Sequence, residues 1–340
     1  MTNVEFIELS TKLGAQLSYT FQTPEAKATT TTTSSTPPTL IVFLNGLGLP
    51  QTSWQPVISE LTTLRQTKGL AVPSFLTYDR FGQGQTTDRD PQDAVAEDPS
   101  HGHDCLSAVH DLHQLLVQLI PIRLGLSGPP ESDSDSSIRL IFVANSLGCA
   151  LARLYAAEYP GAVSALILLD SILANSDFVS IFPDPDAPDF SPTQHLPQGV
   201  DIDIETLRAV RATTARILHP SVPNKESISR KNLAALLPSA SEPKLTGPAS
   251  QGGYPYVTVL GHDFDVFAAE STRMGVPEVF SNSFVNPAWE RYNRGLVRIT
   301  EREYAGGPGR VAGAGHFIQK DQPGSVAGEI EGVLGRLEGV

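Results

Sequence analysis

Short apolar, β-branched runs recur along the 340-residue chain, at residues 40–44, 74–78, 138–143, 163–169 and 256–260. Each has the length of a strand buried on both faces, where no polar alternation is needed. Between them apolar residues fall at helical spacing. Residues 54–64 and 147–159 show this pattern, and so do residues 105–120, where Leu106, Val109, Leu112, Leu116 and Leu119 share one face. Strand alternating with helix predicts an α/β fold with a mostly parallel, doubly wound sheet and right-handed crossovers.

The alternation breaks over residues 171–253, where Pro- and Asp-rich sequence surrounds two helical stretches, 204–218 and 227–237. This block follows one strand and precedes the next, so it is expected at the C-terminal edge of the sheet, where open α/β folds bind ligands. The expected organisation is a core of residues 1–170 and 254–340 with an inserted, mainly helical cap of residues 171–253. A plain surface excursion is the alternative. Two biased segments, a Thr/Ser run within residues 23–38 and a Gly/Pro/Ser/Asp stretch at 127–137, are expected to be flexible surface loops.

Composition narrows the function classes. Forty per cent of residues are apolar and 18% charged, which supports a sizeable core and excludes wholesale disorder. The 37 acidic residues outnumber the 24 basic ones, for a formal charge of −13. Such a surface repels a phosphate backbone or an anionic membrane face, so neither nucleic acid nor membrane is expected as a partner. Only two cysteines occur, Cys105 and Cys149, too few for a disulfide framework or a Cys-based zinc site. The first residues carry no basic, apolar leader and no long apolar stretch follows, so a soluble, cytoplasmic protein is expected.

The stretch with most chemical content runs from the strand at 138–143 through Ala144-Asn145-Ser146-Leu147-Gly148 into a helix. A turn this tight needs small residues on either side of the serine, because larger ones would clash as the backbone bends. Ser146 Oγ would then stand above the sheet edge at a helix N-terminus, whose dipole favours developing negative charge. The same position suits a serine that merely caps the helix. Two further segments favour the nucleophile. Asn45-Gly46-Leu47-Gly48 follows a strand about 100 residues upstream, and its backbone could supply an N–H donor. A tetrahedral oxyanion needs two preorganised donors, and the amides of Leu47 and Leu147 are the candidates. Near the C-terminus, Gly313-Ala314-Gly315-His316 sets one of eight histidines in a Gly-rich loop. Surface or capping roles are assigned to the other seven, His101, His103, His110, His113, His195, His219 and His262.

Together with Tyr78-Asp79-Arg80-Phe81-Gly82-Gln83-Gly84, these motifs resemble the α/β-hydrolase family in order and spacing over about residues 39–335, outside the 171–253 block. Three departures stand out: Asn45 where histidine is usual, Ala144 where the first elbow glycine is usual, and Asn145 where histidine is common. None removes an essential group. The resemblance implies a Ser-acid-His triad in that chain order. A serine at the nucleophile position argues against the family's epoxide hydrolases and haloalkane dehalogenases, which use a carboxylate there. For the acid the family usually looks just after the penultimate strand, here Gly261-His262-Asp263-Phe264-Asp265. The usual offset falls on Phe264, flanked by Asp263 and Asp265, while Asp170 ends the preceding strand, a position some family lipases use. Asp263 is preferred as the residue closest to the rigid strand end, with Asp170 and Asp265 as alternatives.

The expected activity is hydrolysis of an ester or lactone by Ser146, His316 and an aspartate through an acyl-enzyme, with no metal and no organic cofactor. Phe178, Phe182 and Phe190, set among Asp184, Asp186 and Asp189, point to a small, largely apolar and uncharged substrate. Carbon–carbon bond hydrolysis or a lyase reaction on the same fold is an alternative, as is a small-molecule receptor, since fold does not fix function. The sequence carries no signal of oligomeric state.

Overall fold

The computed structural model describes residues 3–23, 37–129 and 138–339. Residues 24–36 and 130–137, most of the two segments expected to be flexible loops, lie outside them. The described residues form ten strands: β1 (Glu5–Glu8), β2 (Gln16–Gln22), β3 (Thr39–Leu44), β4 (Ser74–Asp79), β5 (His103–Asp104), β6 (Arg139–Asn145), β7 (Ala165–Leu169), β8 (Ile228–Ser229), β9 (Tyr256–Gly261) and β10 (Ala305–Arg310). Eight of them make one sheet in the order β1-β2-β4-β3-β6-β7-β9-β10. The β1/β2 and β2/β4 pairs are antiparallel and every other pair in this sheet is parallel.

The five apolar runs become the central strands β3, β4, β6, β7 and β9, buried almost throughout. Their side chains alternate between faces. Leu40, Val42, Leu140, Phe142, Leu166 and Leu168 join one core, and Ile41, Phe43, Ile141, Val143, Ile167 and Leu169 join the other. Helices α2 (Cys105–Leu124) and α3 (Leu147–Glu158) cover the first face through residues such as Leu112, Leu116, Leu151 and Tyr155. Helix α1 (Gln55–Thr67) and the C-terminal helix cover the second. Asp104 caps α2 by accepting from Ser107 N–H at 2.8 Å, which fixes where that helix begins.

Residues 171–253 hold three helices, α4 (Pro192–His195), α5 (Ile204–Ile217) and α6 (Leu233–Leu236). The stretch expected to be helical over 227–237 is instead strand β8 followed by the single turn of α6. Ser227 stands at φ 57°, outside the helical region, and β8 pairs in parallel with β5 of the core. A second excursion lies between β9 and β10: α7 (Phe264–Ser271), α8 (Glu278–Phe280), a π-helical turn (Ser281–Val285) and α9 (Asn286–Leu296). Phe182 packs on Phe280 and Phe284 from this excursion, with ring centroids at 6.5 and 5.8 Å, and Phe178 packs on Trp289 at 6.0 Å. The chain closes with α10 (Ile318–Asp321) and α11 (Pro323–Glu338). Among the described residues no helix is long and apolar enough to cross a membrane.

Candidate active site

Ser146 sits between the last residue of β6 and the first of α3 at φ 54°, ψ −120°, a conformation that non-glycine residues rarely adopt. The turn is possible because its surroundings are small. A side chain at Gly148 would collide with the Leu44 carbonyl, and one at Gly46 would stand 3.1 Å from Ser146 Cβ. Ser146 makes no side-chain capping bond to α3, so the helix-cap reading of this serine fails. Asn145 holds the elbow from below. Its Nδ2 donates to the carbonyls of Leu169 at 3.1 Å and His316 at 3.0 Å, and its Oδ1 accepts from Gln319 Nε2 at 3.3 Å. The residue next to the serine thus anchors the loop that carries His316.

The carboxylate that meets that histidine is Asp170. Its Oδ2 lies 2.5 Å from His316 Nδ1, and the residue is fully buried at the end of β7, at φ 42°. Asp263, favoured from the sequence, is engaged elsewhere. The chain turns into α7 directly after β9, so Asp263 becomes that helix's cap, accepting from Asp265 N–H at 3.1 Å and from Gly313 N–H at 2.9 Å. The Gly313 N–H, with that of Asp265, outweighs its modest desolvation and lowers its pKa. Asp265 points outward, exposed on the first turn of α7. Burial alone would raise the Asp170 pKa, but the charge and hydrogen bond of His262, joined by those of His316, hold it below the usual carboxylate value.

His262 is the residue that the sequence reading misplaced. It is 1% exposed, and its Nδ1 lies 2.8 Å from Asp170 Oδ1. A carboxylate offers two oxygens, and here each holds an imidazole. His103 is likewise buried rather than superficial, at 2.8 Å from Asp93. The available sequence signal for His262 was its place one residue after Gly261 at a central strand end.

The loop after β3 is held by a polar network. Asn45, where histidine was expected from the resemblance, donates to the Tyr78 carbonyl at 2.8 Å and accepts from Trp54 Nε1 at 2.8 Å. Arg80 donates to the carbonyls of Asn45 at 2.8 Å and Gly46 at 3.1 Å, and Gln83 donates to Gly46 O at 2.9 Å. A trans peptide points its C=O and N–H in opposite directions, so fixing the Gly46 carbonyl also fixes the direction of Leu47 N–H. That N–H has no acceptor among the described residues. Glu226, from residues 171–253, completes the network, accepting from Gly48 N–H at 2.6 Å, Gln83 Nε2 at 2.8 Å and Arg80 Nε at 2.8 Å. Burial would lower the Arg80 pKa, yet Glu226 raises it above the ordinary value. Leu147 opens α3, where an N–H has no acceptor within its own helix.

Trp289 and Phe317 flank His316, with ring centroids at 6.2 and 5.1 Å. Phe178 and Phe182 are buried in packing against α8 and α9, so they do not offer the apolar lining expected of them, and Phe190 stacks on His195. A cleft of about 580 Å³ lies elsewhere, lined by Leu13, Asp88, Arg89, Asp93 and Ser227 among others, and includes none of the triad candidates. Among the described residues no group of His, Cys, Asp and Glu could hold a metal ion.

A mostly parallel sheet with a strained serine at one strand end and a histidine bound to a carboxylate at the end of the neighbouring strand defines a class of α/β enzymes. Residues 41–329 match the sequence model of the alpha/beta hydrolase family, and the chain belongs to that family. Its structure is similar to that of a candidate lipase from Acinetobacter baumannii AYE, at 17% identity and TM-score 0.51, covering 99% of this chain and 92% of that one. It is also similar to a variant epoxide hydrolase of Vigna radiata, at 12% identity and TM-score 0.53, covering 98% and 99%. At these identities the likeness is one of fold. No curated protein matches the sequence.

Proposed function

We propose that the protein is a serine hydrolase acting on an ester or lactone, with Ser146 as nucleophile, His316 as general base and Asp170 as the acid. The observation that carries this reading is the 2.5 Å contact between Asp170 and His316 Nδ1, which leaves Nε2 as the nitrogen free to take a proton. Ser146 Oγ attacks the substrate carbonyl and passes its proton to His316 Nε2. The oxyanion of the tetrahedral intermediate takes hydrogen bonds from Leu47 N–H and Leu147 N–H. His316 then returns the proton to the departing alkoxide, leaving an acyl-enzyme, and a water deprotonated by His316 releases the acid.

The serine at the elbow supports this chemistry over the carboxylate-nucleophile reactions of the same fold. Trp289 and Phe317 beside His316 support an apolar group on the substrate. Residues 171–253 act as a cap in this reading, because Glu226 reaches from them into the oxyanion loop. A fluorophosphonate probe tests the assignment. Its label should map to Ser146 and vanish in Ser146→Ala, and turnover of small p-nitrophenyl esters should vanish with it. Ester turnover that persists in Ser146→Ala would overturn the reading.

A further inference from the structure

Asp170 is bonded on both oxygens, and the second partner, His262, is set in a frame that determines its protonation. Its Nε2 lies 3.0 Å from Asn286 Oδ1. The Asn286 amide cannot be turned round, because its other end faces the Phe264 carbonyl at 3.1 Å, which can only accept. That end is therefore the NH₂ group, which also donates to Asn282 Oδ1 at 2.7 Å, and the end facing His262 is the oxygen. Nε2 must then carry a proton. The other ring nitrogen faces the Asp170 carboxylate, again an acceptor, so Nδ1 carries a proton as well.

We infer that His262 is an imidazolium that balances the charge of Asp170 and fixes its Oδ1, making it a positioning residue for the Asp170–His316 pair; this rests on the triad reading. The surroundings suit a cation. The ring of Phe267, from α7, stacks on that of His262 at 4.0 Å and 16°, presenting its negative face. Trp289, from α9, lies edge-on at 5.7 Å. The carboxylates that His262 acts on are Asp170 at the end of β7 and Asp263 in its own loop. His316 faces it across Asp170, and the Cys149 thiol of α3, raised by burial, stays neutral beside Asp170.

The consequence is a pH dependence. With His262 charged, Asp170 presents a balanced pair to His316, so it promotes protonation of that base less than a lone carboxylate would. Removing the His262 charge leaves Asp170 uncompensated, and the acid limb of kcat/KM moves to higher pH. On that limb the loss should be roughly tenfold or more, the size expected for removing one charge at such range. A residue that only fills space would lower activity equally at every pH.

Two measurements test this. In the unaltered protein, ¹⁵N spectra of the histidine side chains, assigned through the backbone, should show both His262 ring nitrogens protonated from about pH 6 to 8. A neutral His262 with one bare nitrogen in that range overturns the inference, whether or not the protein turns over esters. In His262→Gln, which keeps an N–H donor but no charge, the acid limb should move to higher pH. An unmoved limb in a folded variant also overturns it. Failure of Ser146 to react with fluorophosphonate would instead count against the triad reading and leave the nitrogen spectra to decide the state of His262.

Discussion

Arg80 and Glu226 form a buried ion pair, Nε to Oε2 at 2.8 Å, between the loop after β4 and residues 171–253. Both side chains are at most 5% exposed, and the same carboxylate binds Gly48 N–H. The pair thus joins that segment to the backbone that would receive the oxyanion. Glu226→Ala leaves a buried guanidinium uncompensated, with an expected stability loss of about 3 to 5 kcal/mol. It should also release the Gly46 to Gly48 backbone and lower kcat by roughly tenfold to a hundredfold, less than the loss of an oxyanion donor itself. Urea denaturation and steady-state kinetics on the one variant check both, and an unchanged kcat would show that the loop holds its own shape.

The acid is tested by paired substitutions. Asp170→Asn should lower kcat on the order of 10⁴, the loss known for the Asn variant of a comparable triad. Asp263→Asn should retain most activity and most stability, because asparagine caps a helix about as well as aspartate. Equal activity in the two variants would remove the special place of Asp170.

Ser146 and His316 are legible in sequence because each sits in a local pattern, a serine between Ala144 and Gly148 and a histidine after Gly315. Asp170 is not legible in that way. Which carboxylate meets His316 depends on how far the ends of β7 and β9 project, and the turn into α7 takes Asp263 away at the last step. The buried state of His262 depends on the same geometry. The central strands read clearly because they are apolar throughout, but edge strand β1 alternates half-buried and exposed residues, and β2 beside it starts on an exposed residue and ends on two half-buried ones. The helices between β9 and β10 were hidden by the Ser- and Asn-rich π-helical turn and by Pro287, which sits at the start of α9.

A buried cluster beside β5 gives a pH prediction independent of catalysis. Burial pushes the Asp111 carboxyl up to about 6, with Lys12 at 3.3 Å pulling it down and Asp90 adding to the rise. This folded value lies above the ordinary one of about 3.9, so the folded chain holds a proton that the unfolded chain releases. The contribution of Asp111 is fully present below about pH 4 and is lost as pH rises through about 6. Asp111→Asn cannot titrate, so it should lack this slope, and the slope should appear in the difference between the two proteins' urea midpoints across that window. A difference that stays constant over the window would rule the titration out.

Ser146 itself carries the last prediction. Its φ of 54° with ψ −120° lies in a region nearly reserved for glycine, where a side chain costs roughly 1 to 3 kcal/mol. Ser146→Ala keeps Cβ and therefore the strain, and it removes only the hydroxyl, which makes no capping bond. Ser146→Gly removes the strain as well, against an unfolded-chain entropy cost of about 0.5 to 1 kcal/mol. Both variants should be inactive. The glycine variant should nevertheless be the more stable by about 1 kcal/mol, because the strained backbone that the serine side chain requires is relieved. Denaturation midpoints of the two variants decide the point, and a glycine variant no more stable than the alanine one would mean that the elbow stores no strain.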